Sequence, residues 1–192
     1  TGIINDVRGY SRMFCKFLDE LVGHGANEKH VPDVAFTAPE EFILGLIDGY
    51  FSGDGTFGTN NIEACSSSEI LIEGINYLLS RLGIFSNKKI IKTSENNFKG
   101  NQVSQRINIR AQWARIFKKK IGTLINGDKN EKLLRMKPSK SVHPNYEEQE
   151  NVVLDRIVEI NKVSVEKYPK LYDLTVPSTL NFNIMNGLGV VD

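Results

Sequence analysis

Apolar residues recur at spacings of three and four over 12–22, where Met13, Phe14, Phe17, Leu18, Leu21 and Val22 share one side of a predicted helix. Gly23-His-Gly25 ends it, and a turn-rich link runs through Lys29-His-Val-Pro32. Thr37-Ala-Pro-Glu40 predicts the next helix start, with Thr37 as N-cap, Pro39 in the first turn and Glu40 at the position that answers the cap. That helix continues into Gly45-Leu-Ile-Asp-Gly-Tyr-Phe-Ser-Gly-Asp-Gly55. Residues 56–66 alternate weakly and read as a strand. Ser66-Ser-Ser-Glu69 caps a helix over about 69–82, with Ile70, Leu71, Ile75, Leu78, Leu79 and Leu82 on one stripe and Gly83 as its stop. Two strands follow, over 85–94 and 102–110, joined by a turn at 96–100. In the second, Val103, Gln105, Ile107 and Ile109 alternate with Ser104, Arg106, Asn108 and Arg110.

Helical spacing returns over 111–121, with Trp113, Ile116 and Phe117 on the buried side and Lys118–Lys120 at the C-terminal end, where the helix dipole favours cations. Gly127-Asp-Lys129 reads as a chain break before a short helix over 130–136. Residues 137–150 are polar, contain Pro138 and Pro144, and read as a linker. Residues 152–163 and 171–176 are strand-like, with a turn at Pro177-Ser-Thr179. The whole reads as an α+β chain: a main domain over 1–140, a linker over 141–150 and a small β-rich module over 151–192.

Charge sharpens this division. The net charge of +1 sums −5 over 1–55, +10 over 56–140 and −4 over 141–192. Within 81–120 there are 11 basic residues against the single acid Glu95, which points to a polyanion-binding surface in the middle of the chain. The Ser-Arg-Asn-Arg face of the 102–110 strand is a set able to contact phosphates and base edges. Cys15 and Cys65 form neither a metal-ligand spacing nor a disulfide framework, as expected of an intracellular, reducing compartment. No apolar run is long enough for a membrane span, and no signal peptide is visible. The chain opens on Thr1 rather than methionine, as a fragment or processed product would.

The 45–55 run carries the chemistry. Gly49 and Gly53 lie four apart on one helical face, where small residues let a second helix come close. Asp54 follows at the helix end, and doubled by a partner helix it makes a paired acidic site. Asp48, six residues earlier, reads as structural or solvent-facing. His24, His30 and His143 show no triad or zinc spacing and read as loop or surface residues.

The nine residues from Ile47 to Gly55 resemble the LAGLIDADG motif of homing endonucleases, matching at Gly49, Asp54 and Gly55 with Gly53 as the small residue before the acid. The order of helices and strands over roughly 12–136 is similar to that family's αββαββα unit, although one strand is hard to see near 59–68. Lys29-His-Val-Pro32 resembles the basic-proline block between the two motifs of intein endonucleases. Gly122 together with Lys129-Asn-Glu-Lys132-Leu133 resembles the block bearing the active-site lysine. The tail is similar to the C-terminal splicing block of inteins, in Leu171-Tyr-Asp-Leu-Thr-Val176, Asn181-Phe182 and Asn186-Gly187. It departs from that block in closing on Val191-Asp192 rather than His-Asn, and in having Asn181 where a histidine often precedes the phenylalanine.

The resemblance implies a LAGLIDADG fold with an antiparallel DNA-binding sheet and a small intein-like C-terminal segment. It implies site-specific cleavage of double-stranded DNA with Mg2+ or Mn2+, the metal held by Asp54 and the Gly53 carbonyl. Lys129 polarises the solvent network, with Lys132 as the competing choice. DNA lies across Lys89, Lys92, Arg106, Asn108 and Arg110. Gly49 and Gly53 meet a second motif helix, from a homodimer partner or from another repeat of a longer enzyme. No membrane partner is expected. Two rival functions stand beside cleavage: a non-cleaving nucleic-acid-binding or maturase protein, and a protein-splicing fragment in which the tail residues Asn181 and Asp192 matter.

Overall fold

The computed structural model describes residues 10–93, 102–140, 146–149, 152–155, 157–170, 172, 174–178, 181–183 and 189–191. The predicted turn at 96–100, and Asp192, lie outside them. The core is a helix–hairpin–helix–hairpin–helix unit: α3 (Glu40–Asp54), β1 (Gly55–Phe57), β2 (Asn61–Ser66), α4 (Glu69–Arg81), β3 (Asn87–Thr93), β4 (Gln102–Arg110) and α5 (Ala111–Ile121). Ahead of it stand α1 (Arg12–Val22), the short α2 (Gly25–Glu28) and a 3-10 turn, Asp33–Phe36; α6 (Gly127–Arg135) follows. The four strands form one antiparallel sheet in the order β1-β2-β4-β3. This is the α+β architecture the sequence pattern predicts.

Register decides which residues face the helices. Ile62 pairs with Ile109 and Ala64 with Ile107, and all four are buried. They meet Leu71, Ile72, Ile75, Leu78 and Leu79 of α4, Ile43, Ile47 and Phe51 of α3, and Trp113 and Phe117 of α5 in one continuous core. Phe51 and Phe117 are fully buried with ring centroids 4.9 Å apart, edge to face, locking α3 to α5. Burying each such side chain is worth about 1.5–3 kcal/mol. Among the described residues no helix layer covers the other sheet face, which presents Glu63, Cys65, Lys89, Arg106 and Arg110.

Several expectations need correcting. Thr37 does not cap α3: its hydroxyl donates to the Val34 carbonyl within the 3-10 turn, and Pro39 occupies the N-cap position. The strand expected over 56–66 is a hairpin, turned at 58–60, and it supplies the strand that was hard to see. On α4, Ile70 is exposed and Ile72 takes its place in the core, while the Ser68 hydroxyl accepts from Leu71 N as the cap. Gly127-Asp-Lys129 does not break the chain. It forms the first turn of α6, with the Asn126 side chain accepting from Lys129 N at 3.1 Å, so the break sits at 122–126.

Beyond the core, β5 (Tyr146–Gln149) falls inside the stretch read as a linker and pairs with β6 (Val152–Asp155). Val153 packs against the core. Residues 157–163, read as strand, are exposed and form none. β7 (Asn181–Asn183) pairs with β8 (Gly189–Val191), setting Asn181 opposite Val191.

Candidate active site and nucleic-acid face

α3 delivers the acid. Its last residue, Asp54, is exposed at the helix C-terminus, and β1 begins at the next position. Gly55 is required there, since a Cβ would collide with the Phe51 carbonyl of the preceding turn. The negative end of the helix dipole adds to the Asp54 charge and favours a cation at this point. One cation is already there: Lys129 Nζ donates to the Gly53 carbonyl. Lys129 is half-buried in the first turn of α6, whereas Lys132, one turn on, is exposed and makes no such contact. The sequence resemblance left these two lysines as alternatives; the structure brings Lys129 to the carbonyl of Gly53, the residue before Asp54.

A second carboxylate fixes this arrangement. Asp48 Oδ1 accepts from Ser52 Oγ at 2.9 Å, one turn along α3, and from the backbone N–H of Ile125 at 3.0 Å. Ser52 Oγ in turn accepts from Asn126 N at 3.2 Å. Asn130 Oδ1 accepts from Leu124 N at 3.0 Å within the same loop. Asp48 is thus structural, as the sequence suggests, but its partner is a loop 77 residues away. Sequence reasoning missed Ser52, Asn126 and Asn130; the only local signal was the four-residue spacing of Asp48 and Ser52.

Tyr50 was also missed. Its hydroxyl is buried and has no hydrogen-bond partner. Burial, reinforced by the nearby Asp54 and Cys65, pushes the phenol well above its ordinary pKa and keeps it neutral. Its ring lines an apolar cavity of about 270 Å³ with Val22, Val31, Leu46, Leu71 and Ile75.

A divalent ion is tested by the donors present. Among the described residues no cluster of three His, Cys, Asp or Glu side chains exists. Magnesium does not need one, since it keeps several waters and binds through one or two carboxylates. Asp54 and the outward-facing Gly53 carbonyl, which already takes a cationic partner in Lys129, suit one side of such an ion.

The open side of α3 bears Gly45, Gly49 and Gly53. All three are exposed, and a Cβ at any of them would meet nothing within 4 Å. By contrast, a Cβ on Gly74 of α4 would lie 2.7 Å from Val31 Cγ2, so that glycine serves packing inside the chain. α1 is similarly uncovered: Met13, Phe14, Phe17 and Leu18 are exposed, and no α1 residue is buried.

On the bare sheet face, Cys65, Arg106 and Lys89 align across β2, β4 and β3. Arg106 Nε donates to Cys65 Sγ at 3.4 Å, and its guanidinium lies 3.5 Å from Glu63. Lys89 and Arg110 are exposed. Asn108 is only 6% exposed; its amide donates to Glu63 Oε1 at 2.5 Å and accepts from Arg110 Nε at 2.9 Å. It organises the face rather than projecting from it. Lys92 pairs with Val103 in β3, and its side chain lies outside the described residues, as does that of Asn181.

Much of the positive charge counted in the middle of the chain is spent internally. Lys88 bridges Glu73 at 2.8 Å and Glu69 at 3.5 Å. Lys120 pairs with Glu40 at 2.6 Å. Lys118 donates to the Leu134 and Met136 carbonyls, and Arg81 to those of Ala35, Phe36 and Ala38.

Residues 41–122, from α3 through α5, match the family described as a LAGLIDADG-like domain. Over this stretch the chain is similar to that family. The chain is also similar to a DNA-directed RNA polymerase subunit of Methanocaldococcus jannaschii, 41% identical over 48% of this chain and 10% of the relative. A DNA polymerase of Thermococcus sp. is 30% identical over 94% of the chain and 11% of the relative. A probable translation initiation factor of Methanocaldococcus jannaschii is 39% identical over 33% of the chain and 6% of the relative. The chain thus spans about a tenth or less of the length of these curated relatives. No helix among the described residues is long and apolar enough to cross a membrane.

Proposed function

We propose that this chain provides one half of a site-specific, divalent-metal-dependent DNA endonuclease of the intein-borne kind. The observation that carries the proposal is the end of α3: Asp54 exposed at the helix terminus, Lys129 on the adjacent Gly53 carbonyl, and an open glycine face on the same helix. Asp54 and the Gly53 carbonyl would hold the metal, and Lys129 would stabilise negative charge growing on the scissile phosphate. When bound, the ion supplies an activated water and neutralises the leaving oxygen. The open face takes a second motif helix, so that a second carboxylate serves the other DNA strand. The bare sheet, with Lys89, Arg106 and Arg110, lies along the duplex.

The relatives support the intein-borne part. An RNA polymerase subunit, a DNA polymerase and an initiation factor are differently named proteins, yet each matches this chain over a small fraction of the relative's own length. A module carried inside unrelated hosts explains that pattern, and the splicing-block-like tail accords with it. The test is cleavage of a supercoiled plasmid carrying an archaeal polymerase gene without the module. The protein should nick or linearise it in magnesium or manganese, and Asp54→Asn should bind it as well but not cut. Undiminished cutting by Asp54→Asn would overturn the assignment, and tight binding with no cutting by the unmodified protein would favour a non-cleaving binder.

A further inference from the structure

We infer that Asp48 is the positioning residue for Lys129, acting through a closed polar ring between α3 and α6; this rests on Lys129 serving the reaction proposed above. The ring follows from donor and acceptor rules. An ionised carboxylate can only accept, so the Ser52 hydroxyl must turn its hydrogen toward Asp48. That leaves the Ser52 lone pairs for the Asn126 N–H. Asn126, held by its backbone, uses its side-chain oxygen to accept from Lys129 N. Lys129 Nζ then returns to α3 at the Gly53 carbonyl, one residue beyond Ser52. Asp48 adds a second anchor by accepting from Ile125 N. The loop at 122–126 has no regular structure of its own, so its seat on α3 is set by these bonds and by buried Leu124. Asp48 touches no reacting atom; it decides where the lysine stands.

The prediction is a loss of rate with binding kept. Asp48→Ala should lower kcat about 10²-fold, the cost of misplacing a reacting group by roughly an ångström, with DNA affinity measured without divalent metal unchanged. Asp48→Asn retains an oxygen acceptor for Ser52 and Ile125 and should recover most of the rate. In a Lys129→Met background, Asp48→Ala should cost nothing further. Additive losses would overturn the inference. A readout independent of cutting is the reactivity of Lys129 toward acetic anhydride, followed by peptide mass spectrometry. Held on Gly53, Lys129 should react slowly; Asp48→Ala should accelerate it several-fold and Asp48→Asn should restore it. Unchanged Lys129 reactivity in Asp48→Ala overturns the positioning role whether or not the protein cuts DNA. Absence of cutting by the unmodified protein, with Lys129 reactivity responding as expected, counts against the endonuclease assignment alone. If Asp48→Ala unfolds, the same two measurements on Ser52→Ala, which removes the middle of the ring, decide the matter.

Discussion

Replacing Gly45 and Gly49 together by alanine should stabilise the isolated chain while disabling it. Both positions are in the interior of α3 and exposed, and a Cβ at either meets nothing within 4 Å. With no steric penalty, helix propensity alone decides the sign, and Gly→Ala in an exposed helix interior gains about 0.8–1 kcal/mol per site. The pair sums to about 2 kcal/mol, roughly 4–8 °C in Tm for a chain of this size. If the same face receives a second helix, two methyl groups now stand where the backbones must approach. Urea unfolding reads the first effect; plasmid cleavage and sedimentation of the assembly read the second. A destabilised double variant would mean that some part of the chain covers this face, and full activity would mean that no helix docks there. Stability up and function down is a combination that neither a core role nor a solvent-facing role produces.

Two further outcomes follow from the sheet face and from α1. Among the described residues Glu63 is the one acid bonded among the basic side chains there, accepting from Asn108 and lying near Arg106; Glu63→Gln should strengthen non-specific DNA binding and steepen its dependence on log salt by up to about one, since one more cation becomes free for phosphate, and an unchanged slope measured by fluorescence anisotropy refutes this. His24 lies 2.9 Å from Asp19, whose hydrogen bond and then charge raise its pKa above the ordinary 6.5. The contact is therefore fully present below pH 6.5 and is lost as pH rises through the elevated folded value. Asp19→Asn should bring the His24 midpoint, followed by NMR, back toward 6.5, and an unmoved midpoint would refute the pairing.

The fold was legible where one periodicity ruled a segment. α1, α4, α5 and β4 each obey a single spacing, and their limits in the structure fall within a few residues of the pattern. β1 and β2 were read as one strand because the weak alternation over 56–66 does not mark where one strand ends, and the turn at 58–60 depends on backbone contacts such as Gly58 N to Asn61 O. The start of α6 was misplaced because Gly127-Asp ordinarily signals a turn, whereas the Asn126 cap and the anchors on Asp48 and Ser52 hold those residues helical. Asp54 was legible from its motif. The contact of Lys129, rather than Lys132, with the Gly53 carbonyl was not, because it depends on where a loop lands on a helix 76 residues earlier. Charge misled in degree: Lys88, Arg81, Lys118 and Lys120 count equally with Lys89 in a sequence, and only their partners show that they cap carbonyls or neutralise neighbours.

α3 explains why the most informative helix is also the least regular in pattern. Its residues divide among three sides. Ile43, Ile47 and Phe51 enter the core. Asp48 and Ser52 hold the loop leading to α6. Gly45, Gly49 and Gly53 leave the remaining side bare. A helix serving only the core would fill that side with good helix formers, and the two interior glycines, Gly45 and Gly49, cost it about 2 kcal/mol against alanine. Among the described residues nothing lies against them to offset that cost. A second helix docked on this side, close enough to exclude a methyl group, would offset it. Such an approach would bring a second helix end beside Asp54, so the feature that weakens α3 on its own is the one that would complete the site.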